Sequence, residues 1–135
     1  MNPAIITGVI GAATLLMGLG ALAAPEFVMA RVLGYAINPS FAENFVRGEV
    51  RAAYGGVFTV IGLFTLLSAR SPALHRGRLL LLACLWLGLG GGRLLSAFID
   101  GSPGGFGWFA MSFELVVGAV LAYCSQAAVD PPALA

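Results

Sequence analysis

Charge is what this sequence has least of. Only 10% of its 135 residues are charged, against about 25% in an ordinary soluble domain. The formal net charge is +1, which provides no basic footprint and excludes nucleic acid as a partner. Histidine occurs once, as His75, and cysteine twice, as Cys84 and Cys124. One histidine and two distant cysteines make no metal or haem ligand set, so neither metal nor cofactor is expected. The absence of a CxxC pair excludes a quinone-linked disulfide oxidoreductase. No apolar stretch contains a histidine, and no nucleophile stands beside a base, so no catalytic residue is assigned and the reading leans away from an enzyme.

What is present is apolar. Hydrophobic residues make up 59% of the chain, with 19 glycines in addition, and the mean hydropathy is +0.95. A small soluble domain leaves too much surface in water to hide such a composition. The class is integral membrane protein. Four stretches reach the roughly 20 residues that a membrane-spanning helix needs, over about 4–24, 49–69, 79–99 and 105–126. None alternates as a lipid-facing strand would, so the expected fold is all-α: a four-helix transmembrane bundle with short loops, one domain over 1–135. Ala21-Leu22-Ala23 before Ala24-Pro25 resembles a signal-peptidase site. The first residues lack Lys and Arg and the apolar run is too long, so this stretch reads as a retained helix.

The connections carry their own signals. Arg70, His75, Arg76 and Arg78 crowd the second loop, which the positive-inside rule places in the cytoplasm together with both termini. Arg31 and Arg47 lie on the opposite side. Ser40-Phe41-Ala42-Glu43 has capping-box spacing, so the second helix is expected from about Phe41 to Ala69. Phe27, Val28, Val32, Leu33 and Tyr35, mixed with Glu26 and Arg31, suit a short interfacial helix before it. Asp100 to Gly105 reads as a tight turn, and Trp108 as an interfacial anchor.

Helices in lipid associate largely by close packing at small residues. Cys84, Gly88, Gly92 and Ser96 recur every four residues in the third span, and Ala110, Glu114, Gly118 and Ala122 in the fourth. Gly11, Thr14 and Gly18 make a similar stripe in the first, as do Gly55, Thr59 and Gly62 in the second. Gly55, Gly88, Gly92 and Gly118 are therefore expected packing positions, either within one copy or at a seam between copies. Cys84 and Cys124 read as two buried free thiols.

Four charges remain in or beside the spans: Glu49, Arg51, Arg93 and Glu114. A charge at mid-span costs roughly 2.5–3.5 kcal/mol on insertion scales, so such groups face inward and find partners. Arg93 with Glu114 is the first pairing expected. Glu49 and Arg51, two residues apart, project from different faces and cannot pair with each other. Tyr54, Ser96 and Asp100 can satisfy the remaining donors and acceptors. Two readings stand: a network that fixes helix register, or the lining of an outward-facing cavity that takes a lipid or small amphiphile.

Three separated segments carry a family resemblance. Glu49-Val50-Arg51-Ala52-Ala53-Tyr54-Gly55-Gly56 is similar to an E-x-R-x-x-Y-G-G element. Gly92-Arg93-Leu94-Leu95-Ser96, followed by Asp100-Gly101-Ser102-Pro103, is similar to a G-R-x-x-S…D-G-x-P element, and Phe113-Glu114-Leu115-Val116 to a last-helix glutamate motif. They resemble the small bacterial four-helix membrane proteins grouped as domain of unknown function 4345, akin to DoxX-like proteins. The resemblance implies a four-span fold in a bacterial cytoplasmic membrane. It also implies that Glu49, Arg51, Tyr54, Arg93, Ser96, Asp100 and Glu114 stand at motif positions. It assigns no activity. The expected function is a non-catalytic accessory protein or amphiphile binder in the lipid bilayer, alone, as a homo-oligomer or in a larger membrane complex. The alternative is a small proton-coupled transporter using Glu114.

Overall fold

In a computed structural model, residues 2–32 and 41–127 are described, the side chains of 31, 32 and 41–43 excepted. All their regular structure is helical: α1 (Pro3–Ala23), α2 (Pro25–Phe27), α3 (Phe41–Glu49), α4 (Phe58–Ser68), α5 (Arg76–Ile99) and α6 (Gly104–Ala127). Two π-helical segments join them, Val28–Val32 after α2 and Val50–Val57 between α3 and α4. Among the described residues four helices are long and apolar enough to cross a membrane: Pro3–Ala23, Asn44–Ser68, Arg76–Ile99 and Gly104–Ala127. A helix of 24 residues rises about 36 Å, enough for a hydrocarbon core of about 30 Å. The class is all-α with four spans, as the composition requires. Ser40 and the side chain of Glu43, and with them the expected capping box, lie outside the described residues, as do Leu33 and Tyr35.

The chain divides into two compact units, one of residues Val9–Leu66 and one of Met1–Gly8 with Leu67–Ala135. In the first, α1 runs antiparallel to the second span, and glycines set their distance. A Cβ on Gly11 would stand 2.5 Å from the Leu66 amide nitrogen, and one on Gly55 2.6 Å from Leu22 Cδ2. Cβ atoms on Gly18 and Gly62 would overlap the backbones of Thr59 and Leu15. Gly11 and Gly18, like Gly55 and Gly62, are two turns apart and so share a face. This contact supplies the association that the hydrophobic effect cannot supply in lipid. Buried hydroxyls on these helices bond back one turn: Thr14 Oγ1 donates to the Ile10 carbonyl at 2.8 Å, and Thr65 Oγ1 to that of Ile61 at 2.7 Å.

In the second unit α5 and α6 form an antiparallel hairpin. The buried stripe of α5 is Leu79, Leu82, Ala83, Trp86 and Gly90. That of α6 is Met111, Glu114, Val117, Gly118, Leu121, Cys124 and Ser125. Both follow the three-and-four spacing of a packed helix face. The contacts are reciprocal: a Cβ on Gly90 would meet Leu115, and one on Gly118 would meet Leu87. Packing within this hairpin does not use the expected stripe on the third span. Gly88 and Gly92 are exposed, with open space where a Cβ would stand, and Cys84 is exposed as well. Each of these glycines is two residues from Gly90, about 200° around the helix. The connection turns at Gly101 (φ 94°) and Gly104 (φ 73°), both in the left-handed region that glycine adopts without steric cost.

Candidate functional site

Glu114 lies ten residues into α6, about 15 Å from its start and near mid-helix. It belongs to the buried stripe, and only 4% of its surface is exposed. Arg93 lies six residues before the end of α5, about 9 Å below the turn. Side chains on a helix lean toward its N-terminus, so Arg93 leans deeper along α5 while Glu114 leans toward the turn. They meet: Arg93 Nε donates to both carboxylate oxygens, at 3.0 Å to Oε1 and 2.9 Å to Oε2. The Arg93 side chain is 34% exposed against 5% for Glu114. The pair therefore presents a charged, hydrogen-bonding head beside a sequestered counter-charge, at a depth where water is scarce.

Around it the hairpin supplies aromatic and polar neighbours. Trp86, almost fully buried, meets Phe113 edge-on at 5.9 Å. Phe113 stacks on Phe109 at 6.3 Å, and Phe109 lies 6.4 Å from Phe106, giving a ring ladder along α6 from the turn to the level of the pair. Ser96 Oγ donates to Asp100 Oδ2 at 2.7 Å, so the Asp100 carboxylate is engaged within its own helix end. Trp108 Nε1 donates to Ser102 Oγ at 3.2 Å and fastens the turn to α6.

The remaining motif residues belong to the other unit. Arg51 Nε donates to the Leu22 carbonyl at 3.4 Å, capping one of the last carbonyls of α1, a position that favours a cation. Tyr54 packs its ring edge-on against Phe58 at 5.8 Å. Glu49 ends α3 with its side chain exposed. All three stand at or inside the π-helical segment Val50–Val57, and π-helical turns concentrate at functional positions. Spacing arguments built on a period of 3.6 gave no sign of that segment. They also missed the ion pair of Arg47 Nε with Glu26 Oε1 at 2.9 Å, since no periodicity relates residues on separate elements. The ring ladder was legible in principle, from Phe106, Phe109 and Phe113 at helical spacing.

Among the described residues no group of three or more His, Cys, Asp or Glu is placed to hold a metal ion. Four apolar helices with an ion pair on the packed face of one hairpin define a multi-pass α-helical membrane protein. The chain belongs to the family described as Domain of unknown function (DUF4345), whose profile matches residues 4–124. That match includes the first helix, where the three motifs gave no guidance. Comparison with curated proteins and with solved structures gives no match to either.

Proposed function

We propose that this protein binds a small amphiphile at Arg93 and Glu114, and that it acts as a binding or accessory protein in a bacterial cytoplasmic membrane. The observation that carries the reading is the unequal burial of the pair. Glu114 is sequestered, while Arg93 keeps about a third of its side chain at the hairpin surface. A partly exposed guanidinium within the span suits a carboxylate or phosphate, since its charge is permanent and weakly hydrated. Glu114 holds the cation in place, and the Phe106–Phe109–Phe113 ladder offers an apolar wall for the tail. The orientation that accompanies this reading keeps the Arg70–Arg78 connection and both termini in the cytoplasm.

The test is mass spectrometry of material that co-purifies with the full chain in mild detergent. Wild type should retain a stoichiometric amphiphile. Arg93→Gln should lose it because the cation is gone, and Glu114→Gln because the cation is no longer fixed, with helical content unchanged in both. An empty wild type, or retention by both variants, refutes the reading. Proton flux in proteoliposomes that depends on Glu114 would replace it with the transporter. In that case the Arg93 bonds to both carboxylate oxygens would have to break in each cycle.

A further inference from the structure

The charges of Arg93 and Glu114 cancel. Arg93 Nε donates to both Glu114 carboxylate oxygens, so the pair is neutral as it stands. Among the described residues of this unit, no other ionisable group lies close to it along the helices. Asp100, seven residues beyond Arg93, accepts from Ser96 Oγ. Cys84 and Tyr123 are each nine residues away on their own helices, about 14 Å. Arg70, His75, Arg76, Arg78 and Cys124 are farther still, and residues 2–8 have no ionisable side chain. Within this unit, charge balance at the pair is set by the pair and its ligand. A head that stays ionised, such as a phosphodiester, would leave one net negative charge near mid-helix, where charge is costly. A carboxylic acid avoids that cost by entering with its proton. Its O–H can donate and its carbonyl accept, so the head is hydrogen-bonded with no net charge added.

The direction of the apolar wall limits the ligand further. Phe113 adjoins Glu114, and Phe109 and Phe106 continue toward the turn, all three exposed. Phe106 to Phe113 is seven residues, about 10 Å of helix. The polar end of the site is therefore deep, and its apolar wall runs outward from there. A phospholipid has the opposite arrangement, with its head at the boundary and its chains toward the midplane. A molecule that fits has its polar group innermost and a body no longer than the wall. We infer that the ligand of this site is a short monocarboxylic acid, bound together with its proton. The inference rests on the reading of Arg93 and Glu114 as an amphiphile site and narrows it to one head group. At neutral pH the free acid is ionised, since carboxylic acids titrate at about pH 4–5. Binding from water then takes up one proton for each acid bound, and the bound assembly of guanidinium, carboxylate and neutral acid has no net charge.

The test is calorimetric titration of the full chain in a neutral detergent with 4-phenylbutyric acid. It is run at about pH 6.5, where the free acid is almost wholly ionised, in two buffers of different protonation enthalpy. Heats from protein-free micelles are subtracted. Wild type should bind one acid and take up about one proton with it. From pH 6 to pH 7 the affinity should fall about tenfold, in step with the neutral form of the acid. At about pH 5, 3-phenylpropanesulfonate, which cannot carry the proton, should bind about 100-fold more weakly than the acid, the cost of a net charge at mid-span. Phosphatidylglycerol should not displace the acid. Phe109→Ala, at an exposed position, should weaken binding about threefold to tenfold. Binding without proton uptake, equal binding of the sulfonate, or displacement by phosphatidylglycerol overturns the inference and leaves an amphiphile site of another head group at the pair. No binding of the acid, while wild type still retains an amphiphile that Arg93→Gln loses, has the same meaning. No binding of the acid together with an empty wild type overturns both readings.

Discussion

In an Arg93→Leu variant the Glu114 carboxylate would remain near mid-helix on the packed face of α6, stripped of the donor that now reaches both its oxygens. Removing one partner of a buried pair costs about 3–5 kcal/mol, because the other charge is left uncompensated. The reciprocal change, Glu114→Leu, leaves a guanidinium that is already 34% exposed. It sits on a flexible stem that can carry it toward the interface. That loss should be smaller, about 1–3 kcal/mol. Replacing both residues by leucine removes both desolvation costs, and apolar substitutes for buried pairs are often neutral or stabilising. The double variant should therefore unfold within about 1 kcal/mol of wild type, leaving a coupling energy of about 3 kcal/mol or more. The assay is reversible SDS-induced unfolding in mild detergent, followed by tryptophan emission, to which Trp86, 1% exposed in the folded hairpin, contributes. Additive losses in the double variant, or a costlier Glu114→Leu than Arg93→Leu, would refute the assignment of burial and partner to this pair.

Two further expectations concern helix packing and the Arg47–Glu26 pair. Gly62→Ala places a Cβ in the Leu15 backbone and should cost about 1–3 kcal/mol as overpacking. Gly88→Ala meets open space and should be neutral or slightly stabilising in the same unfolding assay, since alanine favours the helix. The Arg47–Glu26 pair has both side chains partly exposed, so Arg47→Ala should change stability by less than about 1 kcal/mol and more weakly still in high salt, as measured by unfolding at two ionic strengths.

How much of this was legible in the sequence depends on the kind of signal. Span positions follow from hydropathy and length alone, which is why stretches read at 4–24 and 79–99 appear as Pro3–Ala23 and Arg76–Ile99. Glycine stripes were legible only where a single face contains them. Gly11 and Gly18 against Gly55 and Gly62 satisfy this. The third span is glycine-rich on several faces, and nothing local distinguishes Gly90 from Gly88 or Gly92. Leu115 on a different helix makes the distinction. The charges had the same asymmetry. The cost of burial says that Arg93 and Glu114 need partners, but the lean of side chains along antiparallel helices decides that they meet each other. Arg51, from the same kind of argument, meets a backbone carbonyl of α1 instead. The π-helical segment Val50–Val57 was invisible because it breaks the periodicity on which reading a helix depends.

As proposed above, the Arg93–Glu114 pair is a binding site as well as a packing contact. Its most direct test is an experimental density map of the protein extracted with its surrounding lipid. A bound amphiphile should appear as elongated non-protein density along Phe106, Phe109 and Phe113, with its polar end within hydrogen-bonding distance of the Arg93 guanidinium. A guanidinium covered only by protein side chains, with featureless lipid along the ring ladder, would contradict it.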